Sequence, residues 1–192
     1  MARVIAVDVD KCIGCRSCQV ACALAHSGAE SLFEAVQQQP LAQARVSVVS
    51  MRGIAVPVQC RQCDDAPCVD KCPKDAMQKS EPDGPVTVDV ELCIGCGVCI
   101  KVCPLGNFGT ITMAPDGDSV VKCDLCIDRL NQGLEPACVE ACPTGALVLM
   151  DVADAQAAGL SASVEDLLAV LESKQEGDTS PLGRKLAASR GT

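Results

Sequence analysis

The chain has 192 residues, a formal charge of −9, sixteen cysteines, one histidine, two phenylalanines and no tryptophan or tyrosine. This acidity excludes nucleic acid as a partner, because phosphate binding needs a basic face. The near absence of aromatics excludes an ordinary aromatic core, so the cysteines must supply much of the cohesion of one or two small domains.

In chain order, residues 2–9 alternate branched and small side chains and predict a short strand. The start of the chain carries neither the apolar region of a signal peptide nor a twin arginine. No uncharged apolar run approaches the roughly 18 residues of a membrane span. A cytoplasmic protein without a membrane span is therefore expected. The first cysteine group is Cys12-Ile-Gly-Cys15-Arg-Ser-Cys18-Gln-Val-Ala-Cys22, and Ala23 in place of proline permits a helix through about residue 26. His26 ends that helix. With so many better metal ligands nearby, an ordinary helix-end hydrogen bond is expected of it, ahead of proton transfer or ligation.

Residues 27–44 are polar and predict a surface connection with some helix. Arg45–Met51 and Ile54–Val58 alternate around Arg52-Gly53 and predict a β-hairpin. The second group is Cys60-Arg-Gln-Cys63, then Cys68, Cys72 and Pro73, with a wider middle gap. The turn-rich Glu81-Pro-Asp-Gly-Pro85 leads to the third group, Cys93, Cys96, Cys99, Cys103 and Pro104. There Gly95 and Gly97 allow the backbone to curl closely at positive φ. Cys103 is expected to start an exit helix, with Pro104 presetting its first turn. The stretch Val7–Cys15 matches Val88–Cys96 at seven of nine positions, which marks an internal repeat.

Thr110–Ala114 and Ser119–Lys122 around Pro115-Asp-Gly-Asp118 predict another hairpin. The fourth group is Cys123 and Cys126, then Cys138, Cys142 and Pro143, with a helical turn and loop containing Arg129, Leu130 and Gly133 between the two pairs. Gly145–Met150 predicts a closing strand. Beyond it, Ser163-Val-Glu-Asp166 reads as a capping box, and Val164, Leu167, Leu168 and Leu171 recur at helical spacing, with Gly177 as the stop. This helix either packs on its own domain or grips a partner.

Sixteen thiols mean disulfides in an oxidising compartment or metal ligands in a reducing one. With no secretion signal, disulfides fail. Zinc favours two CxxC pairs separated by a spacer. Here every group has three residues between its last two cysteines, and two groups pack three cysteines into seven residues. Three close thiolates plus a remote one suit an iron–sulfur cubane, whose bacterial ferredoxin run has this spacing.

On these four spacings the chain resembles, over residues 4–150, the four-cluster ferredoxin-like iron–sulfur subunits of the dimethyl sulfoxide reductase and formate dehydrogenase group. It is similar especially to the compact members paired with carbon monoxide dehydrogenase, formate-linked hydrogenase or tungsten aldehyde oxidoreductases. The resemblance implies an α+β fold of two nested ferredoxin-like bicluster modules with short antiparallel hairpins and a C-terminal helical tail. Residues 1–55 and 109–150 would form the outer module, 56–108 the inner one, and 151–192 the tail. It also implies four 4Fe-4S clusters, one each on Cys12, Cys15, Cys18 and Cys142; on Cys22, Cys123, Cys126 and Cys138; on Cys60, Cys63, Cys68 and Cys103; and on Cys72, Cys93, Cys96 and Cys99. Spacing alone leaves open the pairing of first with second group and third with fourth.

The implied function is non-catalytic electron transfer within a low-potential oxidoreductase. Its partners would be a larger catalytic subunit of molybdenum, tungsten or nickel–iron type and a second redox protein, a flavin subunit or another copy of the chain. A free polyferredoxin is the alternative. No triad, phosphate loop or acid–base pair stands beside the cysteines. Sixteen thiolates and four oxidised cubanes would take the net charge to roughly −17, which favours basic docking patches or a neutralising partner.

Overall fold

The computed structural model describes residues 3–51, 54–79, 81 and 83–173. Strand β1 (Arg3–Val7) leads through a 3-10 turn into helix α1 (Ser17–Ala25) and the short α2 (Leu32–Ala35). The Ser31 hydroxyl caps α2 by accepting from the Glu34 N–H at 3.2 Å. Strands β2 (Val46–Met51) and β3 (Ile54–Gln59) form the hairpin expected from their alternation; its Arg52-Gly53 turn lies outside the described residues. Next come α3 (Pro67–Asp70), β4 (Met77–Lys79), β5 (Val86–Val88), α4 (Val98–Val102), β6 (Ile111–Met113), β7 (Val120–Lys122), α5 (Ile127–Asn131), α6 (Ala137–Glu140), β8 (Leu147–Asp151), α7 (Val152–Ala157) and α8 (Val164–Ser173).

The strands pair as four two-stranded sheets, β1–β8, β2–β3, β4–β5 and β6–β7, all antiparallel. The first of these fixes the layout. Val7 faces Leu147 and Arg3 faces Asp151, so the strand before the first cysteine group is stitched to the strand after the fourth. On the other edge of β1, Val7 and Ser161 exchange N–H···O bonds of 3.0 Å each way.

Apolar packing follows the same division. Ile5, Val7, Val46, Val48, Leu125 and Leu147 share a core with Cys18, Cys22, Cys123 and Cys138, from the first and fourth groups. Ala66, Met77, Val86, Ile111 and Val120 share another with Cys68 and Cys99, from the second and third. Thus β6–β7 leans on the core of the middle groups.

Three local expectations change. Cys103 ends α4 and does not open a helix; the residue before a proline is pushed to extended backbone, and Cys103 has φ −72° and ψ 123°. The Glu81–Pro85 region, read only as a turn, closes the β4–β5 hairpin, with Pro82 outside the described residues. Helix α7 was not foreseen. Helix α8 carries the expected capping box: Asp166 accepts from Ala162 and Ser163 N–H at 3.2 and 3.0 Å, and its own N–H donates to the Ser163 hydroxyl at 3.0 Å. Leu167 is fully buried against Val56, Val58 and Leu105, so this helix packs on its own chain. The Leu171 side chain, the expected stop at Gly177 and the rest of the tail lie outside the described residues.

Candidate metal centres

Each cysteine loop turns by left-handed backbone. Arg16 (φ 62°) starts α1 and Gly97 (φ 68°) starts α4 in near-identical conformations, so the sequence repeat is also a repeat of geometry. Gly95 has φ 61°, and a Cβ there would lie 2.4 Å from the Gly117 carbonyl oxygen; only glycine fits. In the fourth group the turn is made by Leu125 and Cys126 (φ 62° and 54°), residue types that adopt it at a cost.

The predicted ligands gather around cavities. One is lined by Cys12, Cys15, Cys18 and Cys142. Another is lined by Cys60, Cys63, Cys68 and Cys103, and a third by Cys72, Cys93, Cys96 and Cys99. The remaining four, Cys22, Cys123, Cys126 and Cys138, are all buried, and Cys138 feels Cys123, Cys22 and Cys126 as electrostatic neighbours. All sixteen thiols are unbridged.

The donor set fits iron–sulfur cores. Backbone N–H groups point at sulfur: Arg45 N to Cys22 Sγ at 3.2 Å, Ala146 N to Cys142 Sγ at 3.3 Å and Gln62 N to Cys60 Sγ at 3.5 Å. Such bonds stabilise thiolate and tune cluster potentials. Burial, reinforced by neighbouring thiols, pushes Cys18 up to about 11 and Cys68 to about 12, and Cys123 and Cys138 higher still. Closely grouped buried thiols with this proton affinity need a positively charged core to ionise, which a metal supplies. At the rim the balance reverses. Ser17 hydrogen bonds lower Cys15; at Cys142, burial raises the thiol but the N–H groups of Leu147, Thr144 and Ala146 and the Thr144 hydroxyl outweigh it.

Two further constellations were not read from the sequence. His26 caps α1 with Nδ1 2.7 Å from the Cys22 carbonyl oxygen, the helix-end bond expected of it, but its Nε2 also reaches Asp124 Oδ1 at 3.4 Å. Asp124 in turn pairs with Arg45. Burial opposes charge on both His26 and Asp124, yet their mutual hydrogen bond prevails, raising His26 and lowering Asp124. His26, Asp124 and Cys126 offer ligand atoms within 4.8 Å of one another, but the Cys126 thiol already belongs to the buried cysteine set.

The second is a buried polar seam of Gln59, Arg61, Gln62 and Lys122. Gln59 Nε2 donates to the Ile5 carbonyl at 2.7 Å. Gln62 donates to the Cys123 carbonyl and accepts from Val86 N–H, both at 2.9 Å. The one sequence signal for the seam was polar residues beside cysteines at the ends of apolar strands.

Fours of unbridged cysteines on short hairpins and helical turns define a ferredoxin-like iron–sulfur protein. The comparisons agree: residues 51–152 match the 4Fe-4S dicluster domain, and residues 9–25 match a 4Fe-4S binding domain. The chain belongs to the 4Fe-4S dicluster family. It is 44% identical to an iron–sulfur protein of Rhodospirillum rubrum, over 78% of this chain and 82% of that one. It is 37% identical to the electron transport protein HydN of Escherichia coli (79% and 89%) and 34% identical to a tetrathionate reductase subunit of Salmonella typhimurium (91% and 68%). The chain is an iron–sulfur electron-transfer protein. Among the described residues, no helix is long and apolar enough to cross a membrane.

Proposed function

We propose that the chain is the non-catalytic electron-transfer subunit of a cytoplasmic, multi-subunit, low-potential oxidoreductase. It passes single electrons through four 4Fe-4S clusters between a larger catalytic subunit and a second redox protein. The ligand sets are the nested ones: the first and fourth cysteine groups bind two clusters in an outer module of residues 1–55 and 109–150, and the second and third bind two in an inner module of 56–108, against whose core the β6–β7 hairpin of the outer segment packs. The observation that carries this reading is the grouping of the thiols. Three cavities are each lined by four cysteines drawn from two groups, and the remaining four cysteines are buried together.

Contacts and exposure support an order along the line. Cys18 and Cys22 share α1, Gln62 touches Cys123, and Cys68 lies in α3 with Cys72 just beyond its end, so the four sets follow one another as a chain. The end sets carry the exposed Cys15 and Cys96, next to Ile13 and Ile94, which are 68% and 56% exposed. The interior set around Cys138 is buried at all four cysteines. The other interior set has no exposed cysteine, and exposed ends with a less exposed middle suit a wire entered on one face and left on another. When bound, the clusters supply reversible one-electron chemistry; the protein's part is to hold the thiolates, donate N–H bonds to sulfur and exclude water.

Anaerobic purification of the chain expressed with its neighbouring genes tests this. A brown complex is expected, with about sixteen irons per copy of this chain and a larger catalytic subunit that loses electron transfer to an external acceptor when this chain is removed. Stoichiometric zinc, or a chain that carries all its iron but reduces many acceptors alone and never co-purifies with a larger subunit, would contradict it.

A further inference from the structure

Arg61 is 5% exposed and Lys122 is 3% exposed. Burying a cation is costly unless an anion or several acceptors compensate it. Arg61 Nη1 donates to the Ile5 carbonyl at 2.9 Å and the Ser161 carbonyl at 3.3 Å, while its Nε and Nη2 are buried with no acceptor among the described residues. Lys122 Nζ donates to the carbonyls of Cys123, at 2.7 Å, and Val86. All of these acceptors are neutral. Neither cation takes part in an ion pair among the described residues. Asp166 acts on Arg61 only at longer range, its Oδ2 being engaged by the N–H groups of Ala162 and Ser163.

The missing counter-charge lies among the cysteines. Arg61 lines the cavity of Cys60, Cys63, Cys68 and Cys103 and senses Cys60, Cys63 and Cys123. Lys122 acts on both Cys68 and Cys123, one cysteine from each interior set. The two cations therefore stand between the interior centres.

We propose that Arg61 and Lys122 are positioning charges for electron transfer, raising the reduction potentials of the two interior clusters so that the path stays level across the buried middle of the chain. This rests on the ligand sets proposed above. An oxidised cubane with four thiolates carries about −2, and reduction adds another negative charge. Burial disfavours the extra charge, and each end set has an exposed cysteine while neither interior set has one. Without compensation the interior clusters, above all the fully buried one around Cys138, would therefore be the harder to reduce and would form a barrier between the exposed ends. Two fixed buried cations oppose that penalty where it is largest. Arg61 also brings unused N–H donors, which stabilise the more negative state when they face sulfur.

The test is a redox titration followed by electron paramagnetic resonance on the full, anaerobically prepared chain, with a soluble dysprosium complex to mark the exposed centres by relaxation. In the unaltered chain, the centres that dysprosium does not reach should titrate at potentials no lower than those it does reach. In Arg61→Gln and Lys122→Gln, the reduced-to-oxidised ratio of an interior centre at fixed potential should fall about tenfold, equivalent to 59 mV for a one-electron couple. The exposed centres should hardly move, and Arg61→Lys should stay close to the unaltered chain. Interior centres that lie more than tenfold below both ends in the unaltered chain would overturn the proposal, even if the glutamine variants do not fold. So would glutamine variants with full iron and unmoved potentials; in that case the ligand sets stand. An unaltered chain with fewer than four centres overturns the ligand sets themselves.

Discussion

At Cys138 the thiol is 4% exposed and crowded by Cys123, Cys22 and Cys126, so without metal it keeps its proton. An iron core replaces that proton and links cluster binding to folding and to pH. The residues around it carry a second, separable pH dependence. His26 is raised above its ordinary 6.5; burial opposes this, and the Asp124 hydrogen bond outweighs it. A group whose folded value is raised adds stability that is full below its unfolded value and is lost as pH climbs through the folded one. The contribution of His26 is therefore greatest below about pH 6.5 and fades on the alkaline side. His26→Gln should lower stability by about 1 kcal/mol at pH 6, allowing for solvent screening of this partly exposed pair, or about 3 °C in Tm. The deficit should shrink toward pH 9. Anaerobic melting curves across that range check it; a deficit that grows with pH would contradict the pairing with Asp124. From the sequence His26 showed only as a helix end, because Asp124, itself paired with Arg45, reaches it from a distant part of the chain. Arg61 and Lys122 were hidden for the same reason: cysteine spacing says which residues bind metal and nothing of what is buried between the sites.

Among the elements, hairpins β2–β3 and β6–β7 were legible because alternation and a turn lie within a few residues. The β1–β8 sheet joins opposite ends of the cysteine-bearing region, and local pattern carries no record of that contact. Strands β4 and β5 were missed because three residues on either side of a proline- and glycine-rich turn give no period to read. Helix α8 was legible from its capping box and leucine spacing, but not the surface it covers. With Leu167 buried on Val56, Val58 and Leu105, the helix stabilises the fold before it can serve any partner. Leu167→Ala should cost about 3 kcal/mol, or roughly 8 °C in Tm. Deletion from Asp151 should cost more, because it also removes the Ser161 bridge to Val7 and uncovers Val4 and Ala6. Thermal denaturation of the two variants beside the parent measures both. A Leu167→Ala protein that melts with the parent would mean that the helix contributes nothing to the fold and is available for docking alone.

For the whole molecule, the central claim is which cysteines share a cluster, because that decides the order of the wire, the two modules and the position of the buried cations. Native mass spectrometry of anaerobically reconstituted paired variants tests it most directly, by counting iron–sulfur units. If Cys12 and Cys142 hold the same cluster, Cys12→Ala combined with Cys142→Ala damages a single centre and leaves about twelve irons in three intact units. Cys12→Ala combined with Cys72→Ala then damages two centres and leaves about eight irons in intact units. The opposite pattern, with one centre lost when Cys12 and Cys72 are changed together and two when Cys12 and Cys142 are, would contradict the nested assignment and the account built on it.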